Sequence, residues 1–277
     1  MSADLHRARD EVGEVVSLQR FGELVELSVR LPHLAATARP GEFAQLRCGY
    51  GVSPLLRRPF SVAWVQQDCC SFVFQEVGAG TAFLGRLRPG DGLEALGPLG
   101  NGFAIDAARG PVVCVSGGVG CAPFPLLIAR LQAHGITDIT VVSGAASASR
   151  LYPLERFDRA TLGVRVLEAT DDGSRGRRGM VTDLLREAGA FEAAGSTYAC
   201  GPNAMLGALA DAGLQGRLQA SLEAPMGCGF GICLGCAIPL RVEAGERWAL
   251  CCTEGPVFEL QQVAWERLRA LPEASVA

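Results

Sequence analysis

Four cysteines near the C-terminus have the side chains and the spacing to hold an inorganic cluster. Cys228, Cys233 and Cys236 follow the pattern C-x4-C-x2-C, which is the spacing of plant-type 2Fe–2S ligands. Fifteen residues separate Cys236 from Cys252, which would supply a fourth thiolate, and the adjacent Cys251 fits the spacing equally well. A cluster held by these residues would make the protein a one-electron carrier.

The residues between the cysteines favour such a cluster loop. Glycine tolerates left-handed backbone angles and lets backbone N–H groups approach sulfur. The loop has glycine at Gly227, Gly229, Gly231 and Gly235. Apolar side chains would keep the polarity around the cluster low and tune its potential. These side chains are Phe230, Ile232 and Leu234.

The main alternative for the cysteines is a structural zinc site, which also uses four thiolates. Zinc sites usually combine two C-x2-4-C pairs, whereas this chain has a triple and a lone partner. The pattern therefore favours the iron–sulfur cluster. A disulfide framework is disfavoured because a chain of this length needs no covalent staples and its first residues carry no apolar signal core.

The composition describes a globular chain with several domains. With 277 residues, of which 49% are hydrophobic, it can form two or three domains with ample cores. The formal net charge of −4 gives no basic surface for nucleic acid. Glycines and prolines interrupt the uncharged stretch Pro111–Ala129, which predicts strand, loop and helix and no membrane span. Free cysteines without a signal sequence indicate the cytoplasm.

The hydrophobic pattern divides the chain into three parts and predicts a multidomain β plus α/β protein. Residues 1–105 contain short strands separated by Pro-Gly turns, which predicts an antiparallel Greek-key barrel. Residues 106–215 alternate strands with helices, which predicts a parallel α/β sheet. Residues 216–277 contain the small cysteine-rich segment. The expected helices are Ala82–Leu87, Phe124–His134, Met180–Ala188 and Ala204–Ala212.

One predicted barrel strand carries groups that can hold a phosphate. In the run Arg57-Arg58-Pro59-Phe60-Ser61, the Arg58 guanidinium offers a fork of charged donors. Ser61 adds a hydroxyl and a backbone N–H. Alone, the motif is also compatible with a solvated surface arginine.

Two neighbouring segments add weight to that motif. The next predicted strand carries Val73, Phe74 and Gln75, and Gly80-Thr81 then opens a predicted helix. A helix N-terminus preceded by glycine binds phosphate through its N–H groups. In the simpler interpretation Thr81 is only an N-cap. Two anion-binding candidates that flank one strand favour a dinucleotide.

A glycine loop follows the first strand of the α/β part. Gly117, Gly118 and Gly120 form a G-G-x-G run between an apolar strand and a helix. Its glycines would let a pyrophosphate approach the helix N-terminus. The sequence therefore predicts a nucleotide site in this loop.

The ends of two later strands complete the candidate nucleotide site. Cys200-Gly201-Pro202 ends the last predicted strand, at the carboxyl edge where open α/β sheets bind ligands. Cys200 can pack against a nicotinamide or be an ordinary buried cysteine. An acidic turn at residues 171–174 can receive an adenosine ribose, and the arginines after it leave NAD and NADP both open.

Taken in order, these motifs resemble the ferredoxin–NADP reductase superfamily. With the C-terminal cysteines, the chain resembles the electron-transfer subunits of the two-subunit, NAD-dependent (type B) dihydroorotate dehydrogenases. The resemblance runs from about residue 10 to residue 260. The motifs that carry it are Arg-Arg-Pro-Phe-Ser, Gly-Pro-Leu-Gly-Asn-Gly-Phe, Gly-Gly-Val-Gly-Cys-Ala-Pro, Thr-Asp-Asp-Gly-Ser, Cys-Gly-Pro, Met-Gly-Cys-Gly and Glu-Gly-Pro-Val-Phe.

The resemblance implies three cofactors. It places FAD on residues 58–61, 73–75 and 80–81, NAD on the two glycine-containing loops, and the cluster on four cysteines. In that family the last cysteine ligand stands two residues before the acidic-Gly-Pro-Val-Phe run, which implies Cys252 rather than Cys251. Nicotinamide exchanges two electrons as hydride and the cluster passes one, so the flavin must lie between them. No catalytic side chain is expected, and Ser61 is expected only as a donor near flavin N5.

The resemblance also implies a partner. After the three expected domains, no room remains for the roughly 250-residue (β/α)8 barrel that would oxidise dihydroorotate. A catalytic chain with FMN must supply it, in a heterotetramer of two catalytic and two electron-transfer chains that serves pyrimidine biosynthesis. Electrons would pass from that FMN through the cluster and FAD to NAD+. The expected docking surface lies around Phe230 and Leu234.

Two other functions stay open from the sequence. The first keeps the redox chemistry and changes the partner, as in an NAD(P)H-oxidoreductase subunit of a hydrogenase, a sulfide dehydrogenase or a ferredoxin:NADP oxidoreductase. The second is a zinc-stapled nucleotide-binding module, or a nucleotide sensor, without electron transfer.

Overall fold

The computed structural model describes residues 5–51, 53–158, 163–187, 195–212 and 217–270. A closed six-stranded barrel is followed by a seven-stranded sheet with helices and by a small two-stranded hairpin. The expected antiparallel barrel and parallel α/β sheet are both confirmed. No helix of the described residues is long and apolar enough to cross a membrane.

The barrel is antiparallel and follows the strand order β1-β2-β5-β4-β3-β6. Strands β3, β4 and β5 form a meander inserted between β2 and β6, which is the Greek-key arrangement. Short helices at Pro32–Thr37 and Ala79–Leu84 and a 3-10 turn at Leu5–Arg7 accompany it. The strands are β1 Arg9–Phe21, β2 Leu24–Arg30, β3 Phe43–Leu46, β4 Arg58–Gln66, β5 Cys69–Gln75 and β6 Gly92–Leu99.

The sheet has the order β10-β9-β8-β7-β11-β12-β15 and is parallel except for β15. Its strands are β7 Val112–Gly117, β8 Ile139–Ala145, β9 Arg165–Thr170, β10 Arg177–Arg178, β11 Ser196–Cys200, β12 Arg217–Ser221 and β15 Val257–Glu259. The separate hairpin is β13 Ala237–Val242 and β14 Gly245–Leu250. In the described residues of this part, the helices are Phe124–Ala133, Val181–Glu187, Asn203–Asp211 and Trp265–Arg269, with 3-10 turns at Gly118–Cys121, Ala148–Arg150, Leu154–Arg156 and Leu260–Gln262.

The central strand β7 is apolar on both faces, as expected for a parallel sheet covered on both sides. Val112 and Cys114 belong to one hydrophobic cluster, and Val113 and Val115 belong to another. The first cluster also contains barrel residues such as Val73, so the barrel packs directly against this face of the sheet.

A buried polar contact joins the barrel to the α/β part. The Tyr152 hydroxyl donates to Glu26 Oε2 at 2.5 Å, and both residues are almost fully buried. Arg156 lies 3.5 Å from the other carboxylate oxygen of Glu26. These contacts hold the two parts in one relative orientation.

The cysteine-rich segment is not packed as a separate body. Strands β12 and β15 extend the nucleotide-domain sheet, and the intervening cysteines share a hydrophobic cluster with that sheet. Phe43 and Leu99 of the barrel join the same cluster. The domain boundaries at 105 and 215 stay a prediction.

One expected helix begins earlier than predicted, and the expected end of a second one cannot be compared with the structure. The expected helix Ala82–Leu87 is found at Ala79–Leu84, because its N-cap is Gly78 and not a later residue. Gly80 and Thr81 therefore lie in its first turn. The expected end of another helix at Ala188 lies outside the described residues.

Candidate functional site

The four predicted cluster ligands form two thiol pairs. The sulfurs of Cys236 and Cys252 are 3.2 Å apart, and the Cys252 backbone N–H donates to Cys236 Sγ at 3.4 Å. The Cys228 and Cys233 side chains hydrogen-bond each other at the other end of the loop. Cys236 and Cys252 are buried, whereas Cys233 is exposed.

The adjacent Cys251 and Cys252 point in different directions. The Cys251 sulfur faces the backbone carbonyl of Leu222 at 3.6 Å, in the hydrophobic core. Burial raises the pKa of its thiol far above the usual range. The structure thus brings Cys252, and not Cys251, to the other predicted ligands.

Hydrogen-bond donors favour the thiolate form at two of the four positions. The hydrogen bond with Cys252 outweighs burial and lowers the pKa of Cys236 to about 6. Burial opposes ionisation of Cys228, but the backbone N–H groups of Cys233, Phe230 and Ile232 outweigh it and lower the pKa of that thiol to about 7. The same hydrogen bond raises the pKa of the Cys252 thiol, so in this pair Cys236 ionises first and Cys252 keeps the proton. Cysteine binds metal as the thiolate, so a bound cluster requires that proton to leave as well.

The donor set fits a binuclear iron–sulfur cluster. A 2Fe–2S cluster distributes four thiolates over two irons, two to each iron. The pairs Cys228–Cys233 and Cys236–Cys252 match this requirement.

The loop between the pairs is shaped by left-handed backbone angles. Gly229 and Gly231 have φ values of +84° and +90°, and the non-glycine Leu234 has +59°. Ile232 is 76% exposed and Leu234 is 63% exposed, so these two side chains face solvent. Phe230 packs against the hydrophobic core instead. Of the two residues expected at the docking surface, Leu234 is exposed and Phe230 is half-buried, and the location of that surface stays a prediction.

Asn101 holds the backbone that follows Cys252, the last predicted ligand. Sequence reasoning did not identify this role. Its side-chain Nδ2 donates to the carbonyls of Thr253 and Glu254, each at 3.0 Å, and its backbone N–H donates to Gly255 O at 2.6 Å. These carbonyls directly follow Cys252. In the sequence, the Gly-Pro-Leu-Gly-Asn-Gly run contributes only to the family resemblance, because nothing in its spacing points to a segment about 150 residues later.

The candidate flavin residues meet beside the cysteine segment. Arg58 begins β4, and its aliphatic stem lies alongside Gly80, where an added β-carbon would be 3.5 Å from Arg58 Cγ. The two anion-binding candidates of the sequence are thus adjacent. Pro59, Phe60 and Ser61 are all half-buried on the same strand.

Thr81 lies at the third position of its helix, so it is not the N-cap that the simpler interpretation expected, and its side chain instead binds the backbone that enters the helix. Its Oγ1 accepts the backbone N–H groups of Val77 and Gly78 at 2.9 and 3.1 Å. The side chains of Val73 and Phe74 are also committed to packing, since each belongs to a hydrophobic cluster. For these three residues, flavin binding would use the backbone. Gln75 is half-buried at the end of β5.

The two candidate nucleotide loops lie side by side where the strand order reverses. From β7 the chain proceeds outward through β8, β9 and β10, and then returns to β11 on the other side of β7. Ser116 and Cys200 are register partners at the carboxyl ends of β7 and β11. Open α/β sheets bind ligands at this switch point.

Glycine is required where these loops touch. A β-carbon on Gly120 would lie 2.3 Å from the carbonyl oxygen of Cys200. A β-carbon on Gly117 would lie 2.7 Å from Met205 Sδ and 3.0 Å from Pro202 Cδ. Gly118 and Gly201 have positive φ angles. The predicted nucleotide residues are therefore gathered in one place.

Glu223 joins this site although sequence reasoning did not select it. It follows β12, and its charge adds to burial in raising the pKa of Cys200 to about 12. Asn203 Nδ2 donates to the Glu223 carbonyl at 3.1 Å. Partial desolvation raises the pKa of the Glu223 carboxyl, although the residue keeps a solvent-exposed surface. In the sequence, the only feature that could have pointed to Glu223 is its position just after the strand that lies beside Cys200.

Arg175 and Arg177, two of the arginines near the acidic turn, are engaged in ion pairs. Arg175 Nε lies 2.7 Å from Glu168 Oε2, and Arg177 Nε lies 2.6 Å from Glu187 Oε2. Asp172 accepts the Ser174 N–H and hydroxyl, which lower the pKa of its carboxyl. The preference between NAD and NADP stays open.

Comparison with known proteins agrees with this geometry. The iron–sulfur cluster binding domain of dihydroorotate dehydrogenase B matches residues 223–264, and the oxidoreductase NAD-binding domain matches residues 114–211. The dihydroorotate dehydrogenase B (NAD(+)) electron transfer subunit of Desulforamulus reducens is 37% identical over 241 residues, which are 85% of this chain and 90% of the relative. The chain belongs to this family.

A second member of the family and two solved structures extend the comparison. The electron transfer subunit of Geobacillus thermodenitrificans is 37% identical over 257 residues, covering 90% of this chain and 96% of the relative. An NADH-dependent reduced ferredoxin-NADP oxidoreductase superposes with a TM-score of 0.80 at 25% identity, covering 94% of this chain and 92% of that one. A ferredoxin NADP+ reductase from Neisseria gonorrhoeae shares the fold, with a TM-score of 0.58 at 16% identity and 72% and 87% coverage.

Proposed function

We propose that this chain is the electron-transfer subunit of an NAD-dependent dihydroorotate dehydrogenase. It binds FAD, a 2Fe–2S cluster and NAD, and it links dihydroorotate oxidation on an FMN-containing partner chain to NAD+ reduction, in pyrimidine biosynthesis. When bound, FAD exchanges hydride with nicotinamide and single electrons with the cluster. We place the complex in the cytoplasm, where thiols stay reduced, since the cysteines form no disulfide in the described residues.

One observation carries this proposal: the cysteine loop lies against the barrel strand that neighbours the flavin motif. Strand β3 pairs with β4, so that Phe43 faces Ser61 and Gln45 faces Pro59. Gly229 of the cysteine loop contacts Gln45 from the other side. This arrangement places the candidate cluster loop and the candidate flavin strand on either side of β3, which supports direct electron exchange between the two cofactors.

Each group of residues has a distinct task in this function. Arg58 holds a flavin phosphate through charge-assisted hydrogen bonds, and Ser61 offers a hydroxyl donor for flavin N5. Gly117 and Gly120 let the nucleotide backbone approach the ends of β7 and β11. The residues Cys228, Cys233, Cys236 and Cys252 hold the cluster. No side chain is assigned as an acid or base.

The partner is proposed to dock on the exposed apolar surface beside the cluster. Ile232 and Leu234 project from the loop itself, and Leu56, which is 50% exposed, lies 3.9 Å from a β-carbon built on Gly227. Such a surface next to a redox centre suits a protein partner. We propose a heterotetramer of two catalytic and two electron-transfer chains.

Reconstitution with an FMN-containing dihydroorotate dehydrogenase chain tests the function. We expect orotate and NADH to form in equal amounts only when both chains are present. The structural likeness to an NADH-dependent reduced ferredoxin-NADP oxidoreductase defines the competing outcome. Reduction of NADP+ by reduced ferredoxin, without any coupling to dihydroorotate, would assign the chain to that other complex.

A further inference from the structure

Gln45 is a fully buried residue whose side chain has no assigned role. It lies within β3 and has 0% solvent exposure. Among the described residues, neither Oε1 nor Nε2 of its side chain has a hydrogen-bond partner. Buried amides in folded proteins are nearly always hydrogen-bonded, so this one requires a partner.

The alternation along β3 directs Gln45 away from the barrel interior. Ala44 and Leu46 belong to the barrel core, whereas Phe43 belongs to the hydrophobic cluster that contains Cys236 and Cys252. Successive side chains of a strand point to opposite faces. Gln45 therefore shares the outer face of β3 with Phe43 and is directed at the cysteine segment.

Gly229 closes the space over the amide. A β-carbon at this glycine would lie 2.6 Å from Gln45 Nε2 and 2.7 Å from Gln45 Cγ. Gly229 follows Cys228 directly and has a φ of +84°, so the backbone lies flat against the side chain. Any larger residue would push the loop away from Gln45. The amide thus ends beside the first predicted cluster ligand.

We infer that the Gln45 side chain donates an Nε2–H hydrogen bond to an inorganic sulfide of the bound cluster, since no described atom, the four ligand sulfurs included, forms a hydrogen bond with this amide. This inference rests on the proposed function. A sulfide of the cluster carries negative charge and can accept this hydrogen bond, and hydrogen bonds to the sulfurs set cluster potentials. Because reduction adds negative charge, this donor raises the reduction potential of the cluster.

Redox titration of the intact holoprotein tests the inference. The variants are Gln45→Leu, which removes the donor, and Gln45→Glu, which keeps the shape but replaces the amide nitrogen by a carboxylate oxygen. Gln66→Leu, at an exposed glutamine of β4, is the matched control. The cluster potential is followed by electron paramagnetic resonance and the flavin potential by absorbance in the same samples.

We expect both Gln45 variants to lower the cluster potential, the glutamate more strongly, while the control changes neither. A tenfold change in the reduction equilibrium, which is about 59 mV for a one-electron couple, is the expected scale for Gln45→Leu. Unchanged cluster potentials in iron-replete variants would overturn the inference and leave a trapped water as the partner. A shift of the flavin potential alone would also overturn it, since the amide would then serve the flavin.

A second measurement uses the unmutated protein, so the inference can be tested even if the Gln45 variants fail to fold. With the glutamine amides labelled with 15N, pulsed electron paramagnetic resonance of the reduced cluster should detect a coupled side-chain nitrogen. Absence of that coupling would overturn the inference. A wild-type chain that takes up no iron and sulfide would overturn the proposed function and the inference together. Gln45 variants with normal cofactors and an unchanged cluster potential would overturn the inference alone.

Discussion

At the residue scale, neighbouring residues of identical type have different roles because the backbone directs their side chains to different surroundings. Cys252 lies 3.2 Å from Cys236, and the Cys251 thiol is directed into the core. Arg57 forms an ion pair with Asp10 at 2.8 Å, whereas Arg58 lies beside Gly80. Each pair provides an internal control for a prediction.

We predict that Cys252→Ala abolishes cluster assembly and that Cys251→Ala does not. The first change removes one of four thiolates, and the second removes a buried side chain at a cost of about 1 kcal/mol or somewhat more in stability. Iron and sulfide content of anaerobically purified protein is the measurement. Loss of iron in Cys251→Ala together with its retention in Cys252→Ala would reverse the ligand assignment.

We predict that Arg58→Ala weakens FAD binding by about 10- to 100-fold, which corresponds to the roughly 1.5–3 kcal/mol of a hydrogen bond to a charged group. Arg57→Ala should leave FAD affinity unchanged, because it removes only partly exposed ion pairs worth about 1 kcal/mol or less. Flavin fluorescence during dilution of the holoprotein gives both affinities. Equal effects of the two changes would contradict the assignment of Arg58.

Residue types predicted the metal chemistry well, but not the residues that support it. The cysteine spacing alone pointed to a 2Fe–2S site, and the family resemblance chose Cys252. Gln45 and Asn101 could not be found in this way. Their importance depends on the distance between a barrel strand and a loop some 150 or more residues later, and no local pattern encodes that contact.

At the element scale, the nucleotide site is made by two loops that touch at the ends of adjacent strands. Alternating strands and helices predicted the parallel sheet, and the loops after β7 and β11 were recognised from their glycines. The order of the strands, which brings these loops together, is a tertiary property. The sequence prediction began the helix Ala79–Leu84 three residues too late, at Ala82 instead of Ala79. The reason is that the N-cap is Gly78, which has no side chain that would mark a helix start.

We predict that Gly120→Ala lowers kcat/KM for NADH, with an artificial electron acceptor, by tenfold or more. The added methyl would lie 2.3 Å from Cys200 O, so the loops must separate at a cost of about 1–3 kcal/mol. Gly92→Ala is the control, because a β-carbon there meets no atom within 4 Å. Undiminished NADH turnover in Gly120→Ala, with normal FAD and iron, would remove this loop from the nucleotide site.

At the scale of the whole molecule, barrel, sheet and cysteine segment form one continuous body. The cysteines share a hydrophobic cluster with sheet and barrel residues, and the apolar surface beside them is left exposed. Sequence length and motif order predicted the three parts and the need for a partner chain. They did not predict that β12 and β15 would join the nucleotide-domain sheet, because the strand that pairs with β12 follows the cysteines in the chain.

We predict that Leu234→Arg uncouples orotate formation from NAD+ reduction and weakens assembly with the catalytic chain. The new charge lies on an exposed loop residue, so FAD, iron and NADH oxidation by the isolated subunit should be unchanged. Val16→Arg, at a side chain 40% exposed on β1, is the control. Coupled turnover and complex mass are measured together. Full coupling in Leu234→Arg would place the docking surface elsewhere.

The most direct test of the account is an absorbance spectrum of anaerobically purified protein before and after NADH, with iron and sulfide assayed on the same sample. We predict flavin bands with a broad additional shoulder that bleaches on addition of NADH, and two irons per chain. A colourless protein that contains zinc would contradict the electron-transfer function and leave a nucleotide-binding module.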